Sequence, residues 1–226
     1  MILEKTPLLA TFVADITGDG HLQFDGHRGN IQFTSKNLSS IEDFRNLCKK
    51  LFNIDPKIMK IKNDGKAFTI RYRTYFSSFR IARELTKAGV PFGNKTNKLF
   101  SIPNWIQNGN AEIKRAYLRA FYTCEGSVYC TKNGANSRWR IELEQYKNEK
   151  LREEGKIFMN QIRKMLEDFG VKVSPVRFGK KSKRKDGTNS IALKMDIEKS
   201  SFENFAVKIG FNDKLKSQKL VNAIAG

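Results

Sequence analysis

The sequence is short of the residues on which many enzyme sites are built. It has three cysteines, Cys48, Cys124 and Cys130. The number is odd and no two form a CxxC pair, so a disulfide framework is not expected and a reducing compartment fits better. It has two histidines, His21 and His27. That is too few for hydrolases with several histidine ligands, and one His-x5-His pair is a weak basis for zinc, whose sites need four ligands. No apolar run approaches the roughly 20 residues that span a bilayer. The N-terminal MILEKTPLL lacks the basic n-region and long apolar stretch of a signal peptide, so secretion is not expected. Acids are scarce: 23 Asp and Glu stand against 42 Lys and Arg, a net charge of +19 over 226 residues. A compact chain with that excess repels itself unless a polyanion is near. Nucleic acid is the first partner class and an anionic membrane surface the second; the missing span weakens the membrane reading.

What is present is a core and a repeat. Hydrophobic residues make up 39% of the chain, enough for one large domain or two small ones. Thr6-Pro7 reads as an N-cap and first helical residue. Leu8, Leu9, Phe12, Val13 and Ile16 follow at helical spacing, with Ala10 and Ala14 between them. The run closes on Asp19-Gly20. In the stretch NAEIKRAYLRAFYTCEGSV, Asn110 can cap a helix carrying Ile113, Ala116, Tyr117, Ala120 and Phe121, which closes on Glu125-Gly126. Aligned on the acid-Gly pair, FVADITGDG lies over LRAFYTCEG, and Ala14 over Ala120, about half a chain length apart.

The segments after each motif repeat as well. The first gives strands HLQF and NIQFT, then a helix with a capping box of Ser39 and Glu42. A hairpin KIMKIKNDGKAFTIRYR turning at Asp64-Gly65 follows, then a helix from about Ser77. The second gives strands SVYCT and RWRIELE, a helix ending at Gly170, strands around VKVSP and SIALKMDI, and a helix ending at Gly210. Each half reads αββαββα, and a short helix over about 216–225 closes the chain. The expected class is α+β: two pseudo-symmetric repeats with antiparallel sheets, over 1–92 and 111–226, joined by a Pro- and Gly-bearing linker over 93–110.

Alternation within the strands gives each sheet an apolar and a polar face. Phe68, Ile70 and Tyr72 oppose Thr69, Arg71 and Arg73. Ile31 and Phe33 oppose Asn30, Gln32 and Thr34. Trp139, Ile141 and Leu143 oppose Arg138, Arg140, Glu142 and Glu144, and Ile191, Leu193 and Met195 oppose Lys194 and Asp196. Forked and amide side chains on such a ribbon can read base edges in a major groove. The candidates are Gln23, Asn30, Gln32, Thr34, Lys60, Lys62, Thr69, Arg71, Arg73, Tyr129, Arg138, Arg140 and Lys194. The run RFGKKSKRKDG reads as a basic loop, either laid along phosphates or a solubilising tip.

If the two motif helices packed side by side and parallel, Asp19 and Glu125 would meet at two helix C-termini. Each such end carries about half a negative charge, and paired carboxylates repel. A hard divalent cation such as Mg²⁺ would compensate, and beside a phosphate it can activate water. A single acid-Gly pair is no more than a turn into a strand; two on matched helices argue for more.

FVADITGDG and LRAFYTCEG together resemble the two motifs of single-chain LAGLIDADG homing endonucleases. The resemblance extends over nearly the whole chain. Alanine replaces the usual glycine at the third motif position in both copies, and Thr17 and Thr123 replace a frequent acid. The resemblance implies a saddle of strands across double-stranded DNA with a long specific site, and Mg²⁺- or Mn²⁺-dependent cleavage of both strands leaving 3′ overhangs. It implies that Asp19 and Glu125 hold metal, with Gly18 and Cys124 beside them. Lys36 and Gln145 are the expected strand-end residues, and Lys95 and Lys214, from FGNKTNKL and FNDKLKSQKL, the expected water-ordering lysines.

The expected activity is site-specific DNA cleavage by a monomer. With no nucleophile at residue 1 and no His-Asn at the end, the chain is expected to be freestanding and intron-encoded. It is expected inside the cell, cytoplasmic in a prokaryote or organellar if organelle-encoded. The rivals are a maturase that binds intron RNA on the same scaffold and a transcription regulator that only binds DNA.

Overall fold

The computed structural model describes residues 2–62, 70–133, 136–184 and 186–226. The chain forms two compact units, Met1–Gly93 and Asn94–Gly226. No helix among the described residues is long and apolar enough to cross a membrane.

The first unit runs α1 (Pro7–Thr17), β1 (Gly20–Phe24), β2 (Gly29–Ser35), α2 (Leu38–Phe52), β3 (Ile58–Lys62), β4 (Ile70–Ser77) and α3 (Phe79–Lys87). Its four strands pair antiparallel in the order β1-β2-β4-β3. Thr6 caps α1 through a 3.3 Å bond from the Leu9 amide, and Pro7, which has no N–H to satisfy, takes the first helical position. At α2 the cap is Asn37, whose Oδ1 accepts from the Ser39 amide at 3.1 Å, in place of the Ser39–Glu42 box. Ser78 caps α3. Leu9, Phe12, Val13 and Ile16 of α1 are fully buried. The Phe12 ring stacks on Phe44 of α2 at 5.1 Å, and Phe44 on Phe33 of β2 at 4.8 Å, tying both helices to the sheet.

The second unit repeats this plan with additions. It runs α4 (Asn104–Gln107), α5 (Ala111–Glu125), β5 (Gly126–Asn133), β6 (Asn136–Asn148), α6 (Arg152–Glu167), β7 (Arg177–Lys183), β8 (Asn189–Ile197), α7 (Phe202–Lys208) and α8 (Lys214–Ala225). Its sheet order is β5-β6-β8-β7, again antiparallel. Asn110 caps α5 through the Ile113 amide at 3.0 Å. Ile141, Leu143, Leu193 and Met195 are fully buried on the helix side of the sheet.

Three expectations need revision. Most of the segment expected as a linker packs into the second unit. Ile102 and Ile106 are buried, the Ile102 amide donates to Gln161 Oε1 at 2.9 Å, and Asn148 bonds Asn97 at 3.2 Å. The basic run from Arg177 is an edge strand rather than a loop. An edge strand needs one pairing partner, and lysines on it discourage a second. Conversely VKVSP forms no strand: Val173 makes an isolated bridge to Ile197.

Candidate functional site

The two acid-glycine pairs occupy the same junction in their respective units. Gly18 ends α1 with its amide on the Ala14 carbonyl at 2.8 Å; Asp19 follows, exposed, and β1 begins at Gly20. Glu125 is the last residue of α5, half-buried, and β5 begins at Gly126. Each strand folds back over the last turn of its helix. A Cβ on Gly20 would lie 2.7 Å from Ile16 Cα, and one on Gly126 would lie 2.6 Å from the Tyr122 carbonyl oxygen. In both units the glycine is therefore required by close approach to the residue four positions earlier, not by a turn conformation. The threonines match as well: Thr17 and Thr123 each donate from Oγ1 to the carbonyl four residues back, Val13 and Arg119, at 2.7 Å.

In the second unit a lysine reaches the acid-bearing helix end. Lys216 Nζ donates to the Thr123 carbonyl at 2.5 Å and lies 3.4 Å from the Cys124 carbonyl. Its charge offsets the negative end of α5 beside Glu125. Lys214, the residue expected in this role, is the first residue of α8 and is exposed. Lys216 lies two residues further along KLKSQK. Lys95 lies in a 3₁₀ turn over Lys95–Asn97. The Lys95 and Lys98 carbonyls accept from Lys147 Nζ at 2.7 and 2.8 Å. Lys147 is 2% exposed, and its ammonium sits 3.7 Å from the Phe100 ring centre. Burial, aided by the Lys95 charge, lowers its pKa to about 8.

Register decides the strand residues. Gly20 opposes Phe33, and Gly126 opposes Leu143. Ser35 is thus the counterpart of Gln145, and Lys36 the counterpart of Tyr146. Lys36 is exposed in the bend after β2. Gln145 is buried opposite Leu193, on the helix side of its sheet. The two are not equivalent positions.

On the first sheet, Gln23 opposes Asn30, Gln32 opposes Tyr75, and Thr34 opposes Arg73. These share the polar face with His21, Arg71 and Ser77, as expected, and Ser77 Oγ donates to Asn30 Oδ1 at 2.6 Å. Lys60 does not join them: it pairs with Tyr72, on the other face, while Met59 and Ile61 stand opposite Arg73 and Arg71. Lys62 pairs with Ile70. Thr69 lies outside the described residues. On the second sheet, Tyr129 opposes Arg140, Arg138 opposes Thr131, and Lys194 opposes Glu144. Arg140 is bound bidentately by Asp196, at 3.2 and 2.7 Å, which raises its pKa. Burial and the Glu142 charge raise that of Tyr129.

This architecture, an α-helix ending on an acid-Gly pair that leads into a four-stranded antiparallel sheet, is built twice. It is the LAGLIDADG fold. Residues 112–210 match the family described as a LAGLIDADG-like domain. The homing endonuclease I-WcaI bound to its DNA recognition sequence is similar in structure, with a TM-score of 0.63 at 17% identity over 97% of this chain and 88% of that one. The N-terminal LAGLIDADG domain of DUF199/WhiA is similar at a TM-score of 0.51 and 14% identity, over 94% of this chain and 85% of that one. Among curated proteins, the tRNA-splicing ligase RtcB of Pyrococcus furiosus is 29% identical over 96% of this chain and 22% of its own length. The replication factor C small subunit of Methanocaldococcus jannaschii is 33% identical over 74% of this chain and 9% of its own. The polymerase subunit Rpo1N of the same organism is 27% identical over 96% of this chain and 17% of its own. The chain thus spans about a fifth or less of these curated relatives.

Proposed function

We propose that this chain is a site-specific double-strand DNA endonuclease that hydrolyses phosphodiester bonds with a divalent metal and leaves 3′ overhangs. The observation that carries this reading is the duplicated junction: an acid at the end of a buried helix, fixed by a glycine that no other residue can replace without displacing the helix. The proposed metal-holding acids are Asp19 in the first unit and Glu125 in the second, with Gly18 and Cys124 beside them in the chain. Among the described residues no three histidine, cysteine or carboxylate side chains gather into a metal-binding group. Two carboxylates plus water oxygens fit Mg²⁺ or Mn²⁺, which keep several waters, better than zinc. When bound, such an ion activates water and stabilises the leaving oxygen.

The chain's own residues would do the rest. Asp19 and Glu125 would hold charge at the scissile phosphate. Lys216, already bonded at the Glu125 helix end, would order water there in the role expected of Lys214. Lys95 would do so for the other strand, on the segment that Lys147 anchors. Gln23, Gln32, Thr34, Arg71 and Arg73 would read bases on the first sheet, and Tyr129, Arg138, Arg140 and Lys194 on the second. A net charge of +19 supports a polyanionic partner. The enzyme would act inside the cell as a monomer, encoded in an intron. The curated relatives carry names of unrelated activities and match this chain over a small share of their length. That supports a module able to move between hosts, whose chemistry is not that of any one of them.

The test is to incubate the protein with Mg²⁺ and a library of randomised duplexes and to sequence the ends. Discrete paired breaks with 3′ extensions support the proposal. Tight intron-RNA binding with no DNA break would favour the maturase instead.

A further inference from the structure

The polar faces of the two sheets differ in charge at equivalent positions. Register matches Gln32 and Tyr75 of the first sheet to Glu142 and Asp196 of the second, and Thr34 and Arg73 to Glu144 and Lys194. Three carboxylates therefore stand where the first sheet has an amide, a hydroxyl and a phenol. None of the described strand residues of the first sheet is acidic.

The three carboxylates are all bonded to cations. Glu142, 5% exposed, accepts from Arg177 Nη2 at 2.8 Å and from Lys194 Nζ at 3.1 Å. Lys194 also reaches Glu144 at 3.2 Å. Asp196 takes the bidentate Arg140 and a further bond from Arg177. Three cations thus meet three carboxylates, and the group carries no net charge. Buried acids shared between guanidinium groups hold them in fixed poses. Cations so paired release few counterions when a duplex approaches, because their charge is already balanced.

We infer that Glu142, Glu144 and Asp196 restrain the second sheet: they fix Arg140, Arg177 and Lys194 in place and keep this half of the protein from gripping duplexes of arbitrary sequence. Sequence-independent attraction then falls to the first sheet and to cations outside the network, while the second sheet contributes shape and direction. The inference rests on the duplex-binding reading above. These acids are positioning residues, and they set specificity by limiting unselective affinity.

The test uses the full chain and a random-sequence duplex, with affinity measured across salt concentrations. Glu142→Gln keeps the side chain's size and removes one balancing charge. The log–log salt slope should steepen by about 0.9, and affinity at 0.1 M salt should rise roughly eightfold, the yield of about one additional neutralised phosphate. A merely structural role would not steepen the slope. Glu144→Gln, at the less buried end of the network, should shift it in the same direction and stands in if Glu142→Gln does not fold. An unchanged slope in folded variants, with the wild type binding in a salt-dependent way, overturns the inference alone. A wild type that binds no duplex overturns the function proposed above and this inference with it.

Discussion

Lys216 Nζ lies 2.5 Å from the carbonyl oxygen of Thr123, two residues before Glu125. It bridges α8 to the last turn of α5 within the second unit. Its ammonium compensates the negative end of that helix. Lys216→Met should slow cleavage by about 10²-fold with DNA affinity little changed, the scale on which loss of one preorganised donor is felt. Lys214→Ala should cleave near the wild-type rate. Single-turnover rates of the two variants make the comparison, and equal losses would contradict the separate roles of the two lysines.

Lys147 gives a pH signature. Its pKa is about 8 in the folded protein against an ordinary 10.5. Between those values the unfolded chain holds a proton that the folded chain has released, so stability rises with pH through that window. The full rise is about 3 kcal/mol for this group. Below pH 8 the buried charge is a standing cost, offset by the Lys95 and Lys98 carbonyls and the Phe100 ring. Lys147→Met should lack this rise. Denaturant unfolding of both proteins from pH 7 to 10.5 checks it, and parallel curves would contradict the assignment.

The junction glycines should be intolerant. Gly126→Ala puts a methyl 2.6 Å from the Tyr122 carbonyl oxygen and 2.8 Å from its ring. Moving a buried helix turn to accept it costs about 1–3 kcal/mol. For a chain of this length that is a fall in Tm of about 2–12 °C. Gly20→Ala, against Ile16 Cα, should behave alike. Thermal unfolding reads both.

Arg71 is exposed on the polar face of the first sheet, where no carboxylate of the described strand residues competes for it. Arg71→Ala should flatten the salt dependence of duplex binding by about 0.9 in the log–log slope. A slope equal to wild type would place that face away from the backbone of the duplex.

Much of this was legible because local signals agreed with one another. Thr6 and Asn110 announced both motif helices, and strict alternation in NIQFT, RWRIELE and SIALKMDI assigned their faces correctly. The repeated acid-Gly pair pointed to the junctions, though the reason for the glycine, contact with the residue four before it, appears only in three dimensions. Sequence failed where long-range pairing overrides composition. Arg177–Lys183 is too basic to resemble a strand, yet β8 supplies its partner. Lys60 sits in a properly alternating run, but the β3–β4 register turns it to the other face. Residues 94–110 carry turn formers and still bury Ile102 and Ile106. Lys216 and Lys147 were hidden among many lysines, since nothing local marks a lysine whose partner is a distant carbonyl.

The central claim is that metal-dependent cleavage needs one carboxylate from each half, Asp19 and Glu125. It is tested most directly by comparing wild type, Asp19→Asn and Glu125→Gln on a duplex the wild type cuts, with Mg²⁺ present and binding measured in parallel. Each variant should bind as wild type does and fail to break either strand. A variant that still cuts both strands at the wild-type rate would contradict the claim.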